Sequence, residues 1–259
     1  MREPENDPLQ QLIGLLKSSS SLIVFTGAGM STESGITDYR SKGGLWQRFQ
    51  PVTIQEFMAS ADKRRDYWAY KKELYREMKR AKPNAGHLAL ARLEKAGFLA
   101  GVITQNIDGL HQISGIPPEK VIELHGTNRK TVCLKCEDET GWEETLARLE
   151  KGEDIPLCLQ CGGLLKPATI SFGQGLDSGV MTTASMWAQR CDLMLAVGST
   201  LIVEPAASLP RIAKKHGSKL VIINLSETPL DPLADLLITE KAGKILKQVV
   251  EFFLGMPIE

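Results

Sequence analysis

Apolar positions along this chain fall into short continuous runs, separated by longer stretches in which they recur at helical spacing. The runs at 21–25, 101–104, 193–197 and 220–223 hold four or five residues each, rich in Val, Ile and Leu and bounded by Gly or polar residues. That pattern predicts strands covered on both faces, as in a parallel sheet. Weaker runs of the same kind lie at 121–124 and 235–238. Between them, 9–17, 87–95, 205–215 and 243–253 read as helices; Leu88, Leu90, Ala91 and Leu93, and later Ile245, Leu246, Val249 and Phe252, keep one apolar face. Strand alternating with helix predicts an α/β fold with a doubly wound parallel sheet. Two stretches break the alternation. Residues 54–82 read as one or two helices rich in Lys, Arg and Tyr, and 133–161 carries two cysteine pairs around a short helical piece at 143–149. Both are expected to be insertions that build a smaller second domain.

Composition narrows the function classes only slightly. The 259 residues are 42% hydrophobic and 24% charged, with 31 basic against 31 acidic side chains and a formal net charge of zero. Such a balance argues against a broad nucleic-acid or anionic-membrane surface, and no direct nucleic-acid binding is expected. No apolar run approaches the roughly 20 residues of a membrane span. The N-terminus lacks the basic-then-apolar pattern of a secretory signal, so a cytoplasmic location is expected. Five cysteines and four histidines are few enough that their positions carry information.

Cys133 and Cys136 form one C-x2-C knuckle and Cys158 and Cys161 a second, 21 residues further on. Two knuckles at this separation match a four-thiolate zinc ribbon, and a reducing compartment disfavours disulfides. With four thiolates the metal has no open position, so one structural Zn2+ is expected, with the Gly162-Gly163 pair relieving the second knuckle. Cys191, beside a predicted strand, reads as a core thiol.

The first run leads directly into Gly27-Ala28-Gly29-Met30-Ser31, a glycine-rich turn of the kind that brings backbone N–H groups close to a pyrophosphate. A dehydrogenase fingerprint would need Gly at 32, where Thr stands, and an acidic residue about 20 positions later. Dinucleotide binding is therefore supported and hydride transfer is not. Polar residues gather where other strands end: Gln105, Asn106 and Asp108 after one, Glu123 and His125 after another, Gly198, Ser199 and Thr200 after a third, Asn224 after a fourth. In an open α/β sheet, ligands sit at these carboxyl ends. Turn capping explains any one of them; together with the glycine turn they mark a site, in which His125 is the general-base candidate by residue type.

These motifs, in this order, resemble the sirtuin family of NAD-dependent protein deacylases. The carriers are GAGMSTESGITDYR (27–40), TQNIDGLH (104–111), ELHG (123–126), the cysteine pairs, KPATISFGQ (166–174), GSTLIVEPAASLP (198–210) and IIN (222–224), spanning nearly the whole chain. The resemblance implies a Rossmann-like NAD-binding domain of residues 1–40, 83–130 and 164–259, and a small domain of 41–82 and 131–163 combining a helical module with the zinc ribbon. NAD, a co-substrate, and an acyl-lysine protein or peptide would meet in the cleft between them. Gly27, Ala28 and Gly29 would wrap the pyrophosphate, with Ser31, Tyr39 and Arg40 near the phosphates and the reacting ribose. Gln105, Asn106 and Asp108 would order that ribose, a water and the nicotinamide carboxamide. Gly198, Ser199, Thr200, Asn224 and Ala242 would hold the adenosine end. His125 would activate a ribose hydroxyl with Asn106 beside it, and extended substrate would add as a strand between Ile170, Phe172 and Gly173 on one side and Val203 on the other.

In such a reaction the acyl oxygen attacks ribose C1′, nicotinamide leaves, and the products are free lysine and O-acyl-ADP-ribose. Mono-ADP-ribosyl transfer from the same NAD site, and a non-catalytic NAD-sensing module, are the rival readings; an intact Asn106, Asp108 and His125 set favours deacylation. Sirtuins that prefer acidic acyl groups carry a Tyr-x-x-Arg pair. Trp68 and Lys71 fall at those positions here, which favours neutral acyl groups because lysine lacks arginine's bidentate fork.

Overall fold

A computed structural model describes residues 7–39, 43–255 and 257–258. Six strands form one parallel sheet: β1 (Leu22–Thr26), β2 (Leu99–Thr104), β3 (Val121–Glu123), β7 (Leu193–Val197), β8 (Lys219–Ile223) and β9 (Leu236–Ile238). Their order is β3-β2-β1-β7-β8-β9, so the winding reverses between β1 and β7. Alternate side chains feed two cores. Leu22, Val24, Leu195 and Val221 pack with α1 (Pro8–Ser18), α4 (Ala85–Lys95) and α9 (Ala242–Leu254). Ile23, Phe25, Met194 and Ile222 face α7 (Ser178–Arg190) and α8 (Ser208–Lys215) on the opposite side. Every residue of β1 and β7 is buried, which is why their sequences read as unbroken apolar runs. The expected doubly wound sheet is present, with all six predicted strands in it.

A second core lies beside the sheet. Here α2 (Ile54–Ala59), α3 (Ala61–Arg80) and α6 (Trp142–Glu150) bury Phe57, Trp68, Tyr75, Trp142 and Leu146. The stretch at 54–82 is two helices because Ser60 is extended and its hydroxyl caps α3 by accepting from Lys63 N–H. Three antiparallel strands in the order β5-β4-β6 complete this region: β4 (Gly126–Cys133), β5 (Glu139–Gly141) and β6 (Leu165–Thr169).

β4, β5, β6, α5 (Leu110–Ile113) and α7 have no counterpart in the sequence reading. The β4 segment, GTNRKTVC, is polar and half-buried, and α7 buries only Ala184 and Ala188, small residues that leave a faint apolar stripe. Helix α8 starts at Ser208 rather than 205. The short α5 follows the end of β2. No helix among the described residues is long and apolar enough to cross a membrane.

At their N-terminal ends β1 and β7 are clasped by one side chain. The Asp192 carboxylate accepts from Ser19 Oγ (2.5 Å), Ser20 N (2.7 Å), Ser20 Oγ (2.6 Å) and Ser21 N (3.1 Å). Burial pushes its pKa up, but the hydrogen bonds from Ser19, Ser20 and Ser21 outweigh this and hold it at about 2, against 3.8 for an ordinary Asp. The folded-state value is the lower one. The contribution is therefore complete above pH 3.8 and is lost as pH falls towards 2. Asp192→Asn turns an amide donor towards these N–H groups and is expected to cost about 1–3 kcal/mol in urea unfolding at pH 7. The variant is also expected to lack the stability loss that the parent shows between those two pH values.

Candidate active site

The reversal of winding between β1 and β7 opens a crevice at the strand carboxyl ends, where neighbouring connections diverge to opposite faces. It holds a cavity of about 1020 Å³, walled by Gly27, Ala28, Gly29, Gln105, Asn106, His125, Gly198, Ser199, Thr200, Asn224 and Ala242.

The turns after β1 and β7 pack back to back. Gly27 N–H donates to Val197 O (3.0 Å) and Gly29 N–H to Gly198 O (2.8 Å). A Cβ on Gly27 would lie 2.8 Å from Gly198 O, and one on Gly29 2.9 Å from Gly198 Cα. Gly198 has φ +61°, and its Cβ would fall 2.4 Å from Met30 N. The glycines are thus needed for the two turns to touch each other. Met30 and Ser31 N–H groups close the turn on Gly27 O and Ala28 O. Among the described residues, Ala28 alone in 27–31 then has an N–H with no protein acceptor, and Ala28 lines the cavity.

After β2 the chain leaves the sheet through Gln105 to Asp108. Gln105 N–H donates to Thr26 O (2.9 Å) and its side chain to Ser199 Oγ (2.7 Å). Asn106 Nδ2 donates to Ser31 Oγ (3.1 Å), and Ser31 Oγ donates to Asp108 Oδ2 (2.7 Å). Asp108 also accepts from Leu110 N–H (2.9 Å); burial raises its pKa, against the pull of that N–H and of Ser31. His125 lies between β3 and β4. Its Nδ1 is 2.9 Å from Gln105 O, an acceptor only, so Nδ1 carries the proton and the neutral ring keeps its lone pair on Nε2. That is the tautomer of a base. The His125 carbonyl accepts from Ile170 N–H (2.9 Å), which ties the ring's backbone to the end of β6.

Aromatic rings wall the outer part of the cavity. Tyr39 and Trp46 lie 5.0 Å apart between centroids, Trp46 and Tyr70 5.6 Å, and Trp46 and Phe172 5.9 Å. Ile170, Phe172, Gly173 and Val203 also line it, and Phe172 O already accepts from Ile54 N–H (2.9 Å). Beneath the rings Lys71, 3% exposed, donates to Asn128 Oδ1 (2.9 Å) with its amine 5.4 Å from the Tyr67 ring centre and 5.2 Å from that of Tyr70. Burial first, and Lys166 second, hold the Lys71 pKa well below that of an ordinary lysine.

The four cysteine sulfurs lie within 4.8 Å of one another, with Cys133–Cys161 at 3.5 Å, Cys136–Cys158 at 3.7 Å and Cys136–Cys161 at 3.3 Å. A tetrahedron of Zn–S bonds near 2.3 Å has sulfur–sulfur edges of about 3.8 Å, so the cage fits zinc and is too wide for disulfides. Lys135 and Cys136 N–H groups point at Cys133 Sγ (3.4 and 3.5 Å), and a Cβ on Gly163 would come 2.8 Å from that sulfur.

Residues 27–205 match the model of the Sir2 family. The chain belongs to the Sir2 family. It is 46% identical over 246 residues to an NAD-dependent protein deacetylase of Thermodesulfovibrio yellowstonii, covering 95% of each chain. Against NAD-dependent protein deacylase 2 of Archaeoglobus fulgidus it is 40% identical, covering 95% of this chain and 96% of that one. A solved Sir2 complex with a p53 peptide and NAD+ superposes with a TM-score of 0.87 at 38% identity, covering 96% of this chain and 99% of that one.

Within this Sir2 chain most of the expected site residues converge on one cavity. Ser31 and Asp108 do not line it; they sit behind Asn106 and hold its side chain in place. Arg40 lies outside the described residues. Trp68, fully buried, is absent from the cavity wall, whereas Lys71 lines it. The sequence reading overlooked Trp46, Tyr67 and Tyr70. The i, i+3 spacing of the two tyrosines on α3 was the available signal. Stripping the cysteine cage with a strong chelator is expected to release one zinc per chain and to melt the β4–β6 region, lowering the unfolding temperature. Metal analysis alongside a thermal melt checks this, and chelated protein that melts unchanged would contradict it.

Proposed function

We propose that this Sir2 chain is an NAD-dependent protein-lysine deacylase that converts NAD and acyl-lysine to nicotinamide, free lysine and O-acyl-ADP-ribose. The observation that carries the reading is the juxtaposition of Asn106 and His125, its Nδ1 anchored on Gln105 O, in one cavity with the paired glycine turns. On this reading the dinucleotide lies along the crevice. Ala28 N–H meets the pyrophosphate, while Gly198, Ser199, Thr200, Asn224 and Ala242 take the adenosine end. Gln105 and Asn106 order the nicotinamide ribose, with Tyr39 and Trp46 over it. The four cysteines hold a structural zinc with no open position.

The acyl oxygen is a weak nucleophile, so the site must press it against ribose C1′ with water excluded, which the aromatic wall supports. Nicotinamide leaves as the C1′–O bond forms. His125 Nε2 then takes the proton of a ribose hydroxyl as that oxygen attacks the acyl carbon. Addition of water completes transfer of the acyl group to ADP-ribose and frees the lysine. We assign the NAD-binding domain to 1–40, 83–130 and 164–259, the small domain to 41–82 and 131–163, and the enzyme to the cytoplasm.

Lys71 bears on the acyl group. With its amine desolvated, bonded to Asn128 and beside a second lysine, it is held towards the neutral form and makes a poor partner for a carboxylate. Neutral acyl chains suit this floor. Acetyl-lysine peptides are accordingly expected to turn over at least about tenfold faster than succinyl-lysine peptides, because an acid there would lie buried without a counter-charge. Equal rates would contradict that preference.

Incubation with NAD and an acetyl-lysine peptide, followed by mass spectrometry, is expected to show deacetylated peptide and nicotinamide in equal amounts. His125→Ala should lower that turnover by about 10²–10⁴-fold without changing the melting temperature. An unmodified peptide with ADP-ribose attached to protein would instead identify an ADP-ribosyltransferase.

A further inference from the structure

Behind the Asn106 turn lie two histidines to which the proposed chemistry gives no role. His87 on α4 is 0% exposed and His111 on α5 1%, with ring centroids 5.0 Å apart. Each has one nitrogen without a partner: Nε2 of His87 and Nδ1 of His111. Burial keeps both neutral, holding His87 at about 4 and His111 well below the usual histidine range, the latter also because His87 is near.

Their protons can be placed from their neighbours. His87 Nδ1 accepts the Asn84 N–H (3.3 Å), so its one proton is on Nε2. The Thr26 hydroxyl donates to Thr104 Oγ1 (2.8 Å), which leaves the Thr26 oxygen to accept from His111 Nε2–H (3.0 Å) and His111 Nδ1 bare. The unpartnered atoms are therefore complementary, a donor on His87 and an acceptor on His111. Each ring nitrogen sits about 1.1 Å from its centroid, so an in-line N–H···N bond of about 3 Å needs centroids about 5.2 Å apart. The rings stand 5.0 Å apart between centroids, inclined at 54°, with the two atoms not bonded to each other; the bond between them is the inferred link of the relay.

The far end of this chain reaches the reaction site. Thr104 Oγ1 accepts Asn106 N–H (3.0 Å), and Asn106 Nδ2 donates to Ser31 (3.1 Å). At the near end the Asn84 side chain donates to Met30 O (2.8 Å) and Ser34 Oγ (3.0 Å), beside the turn after β1. We propose that Asn84, His87, His111, Thr26 and Thr104 form a one-directional hydrogen-bond relay that fixes the backbone on which Asn106 faces the reacting ribose. Every donor from Asn84 to Thr26 points the same way, so Thr104 presents an oxygen lone pair to Asn106 N–H. No proton is transferred. These are positioning residues, and a buried network of this kind holds geometry only when each member is satisfied. The proposal rests on the deacylase reading for its kinetic consequence and is independent of it for the tautomers.

The test uses the full-length zinc-loaded protein. Nitrogen-15 NMR of the imidazoles is expected to show both His87 and His111 protonated at Nε2 and bare at Nδ1 between pH 6 and 8; a His111 protonated at Nδ1 would overturn the relay whether or not the protein deacylates. Thr104→Val keeps the side-chain shape and removes the acceptor. It should lower kcat by about 10- to 100-fold, as a small misplacement of a reacting group does, with KM for the peptide within about twofold. Thr104→Ser, which restores the oxygen, should recover most of the parent rate. A purely structural role would lower the melting temperature and leave the turnover of folded protein unchanged. Parent-like kcat in Thr104→Val, or Thr104→Ser as slow as Thr104→Val, would overturn the proposal.

Discussion

Much of this molecule follows from the contact between the turns that end β1 and β7. The sheet reverses its winding there, and a crevice opens only if the two turns come close enough to seal its floor. Gly27, Gly29 and Gly198 allow that approach, since a Cβ at each would meet the opposite turn at under 3 Å. With Gly27, Gly29, Met30 and Ser31 N–H groups bonded internally, the floor offers a ligand the Ala28 N–H together with the side chains that end the neighbouring strands. The usual account of such a turn, in which glycine admits a phosphate, is here joined by a second requirement that comes from the protein itself.

The antiparallel ribbon of β4 and β6 links this floor to the cysteine cage. β4 begins immediately after His125 and ends at Cys133, and β6 runs back from Leu165 to Thr169, just before Ile170 and Phe172. Cross-strand pairs Cys133↔Leu165, Val132↔Lys166 and Thr131↔Pro167 set the register at the cage end, and Gly126↔Thr169 sets it at the cleft. The cysteine cage thus bears, through β4 and β6, on where His125, Ile170 and Phe172 sit. The same ribbon supplies Asn128 and Thr169, which accept from the buried Lys71 amine under the aromatic rings.

The sequence was most readable where one physical demand acts alone. Strands buried on both faces must be apolar throughout, so β1, β2, β7 and β8 stood out while the edge strands β3 and β9, less fully buried, read more weakly, and thiolates that share a metal must be spaced as two knuckles. It was least readable where two demands compete. β4 has one buried side and one wet side over a polar segment, and α7 packs through alanines, so neither left a clear period. Ser31 and Asp108 show a different limit. Their position in a motif ties them to the site, while only the folded chain shows them supporting Asn106 from behind. The direction in which Trp68 and Tyr70 point depends on how α3 rotates against the second core, which the pattern of apolar residues leaves open.

The central claim is that the crevice between β1 and β7 receives the NAD pyrophosphate on the Ala28 N–H. Residue-resolved amide exchange with and without NAD tests it most directly. The Ala28 amide, without a protein acceptor, should exchange quickly in the free protein and become protected on addition of NAD, while Gly27 and Gly29, already bonded to Val197 and Gly198, change little. An Ala28 amide indifferent to saturating NAD, with protection appearing away from 27–31 and 198–200, would contradict the account.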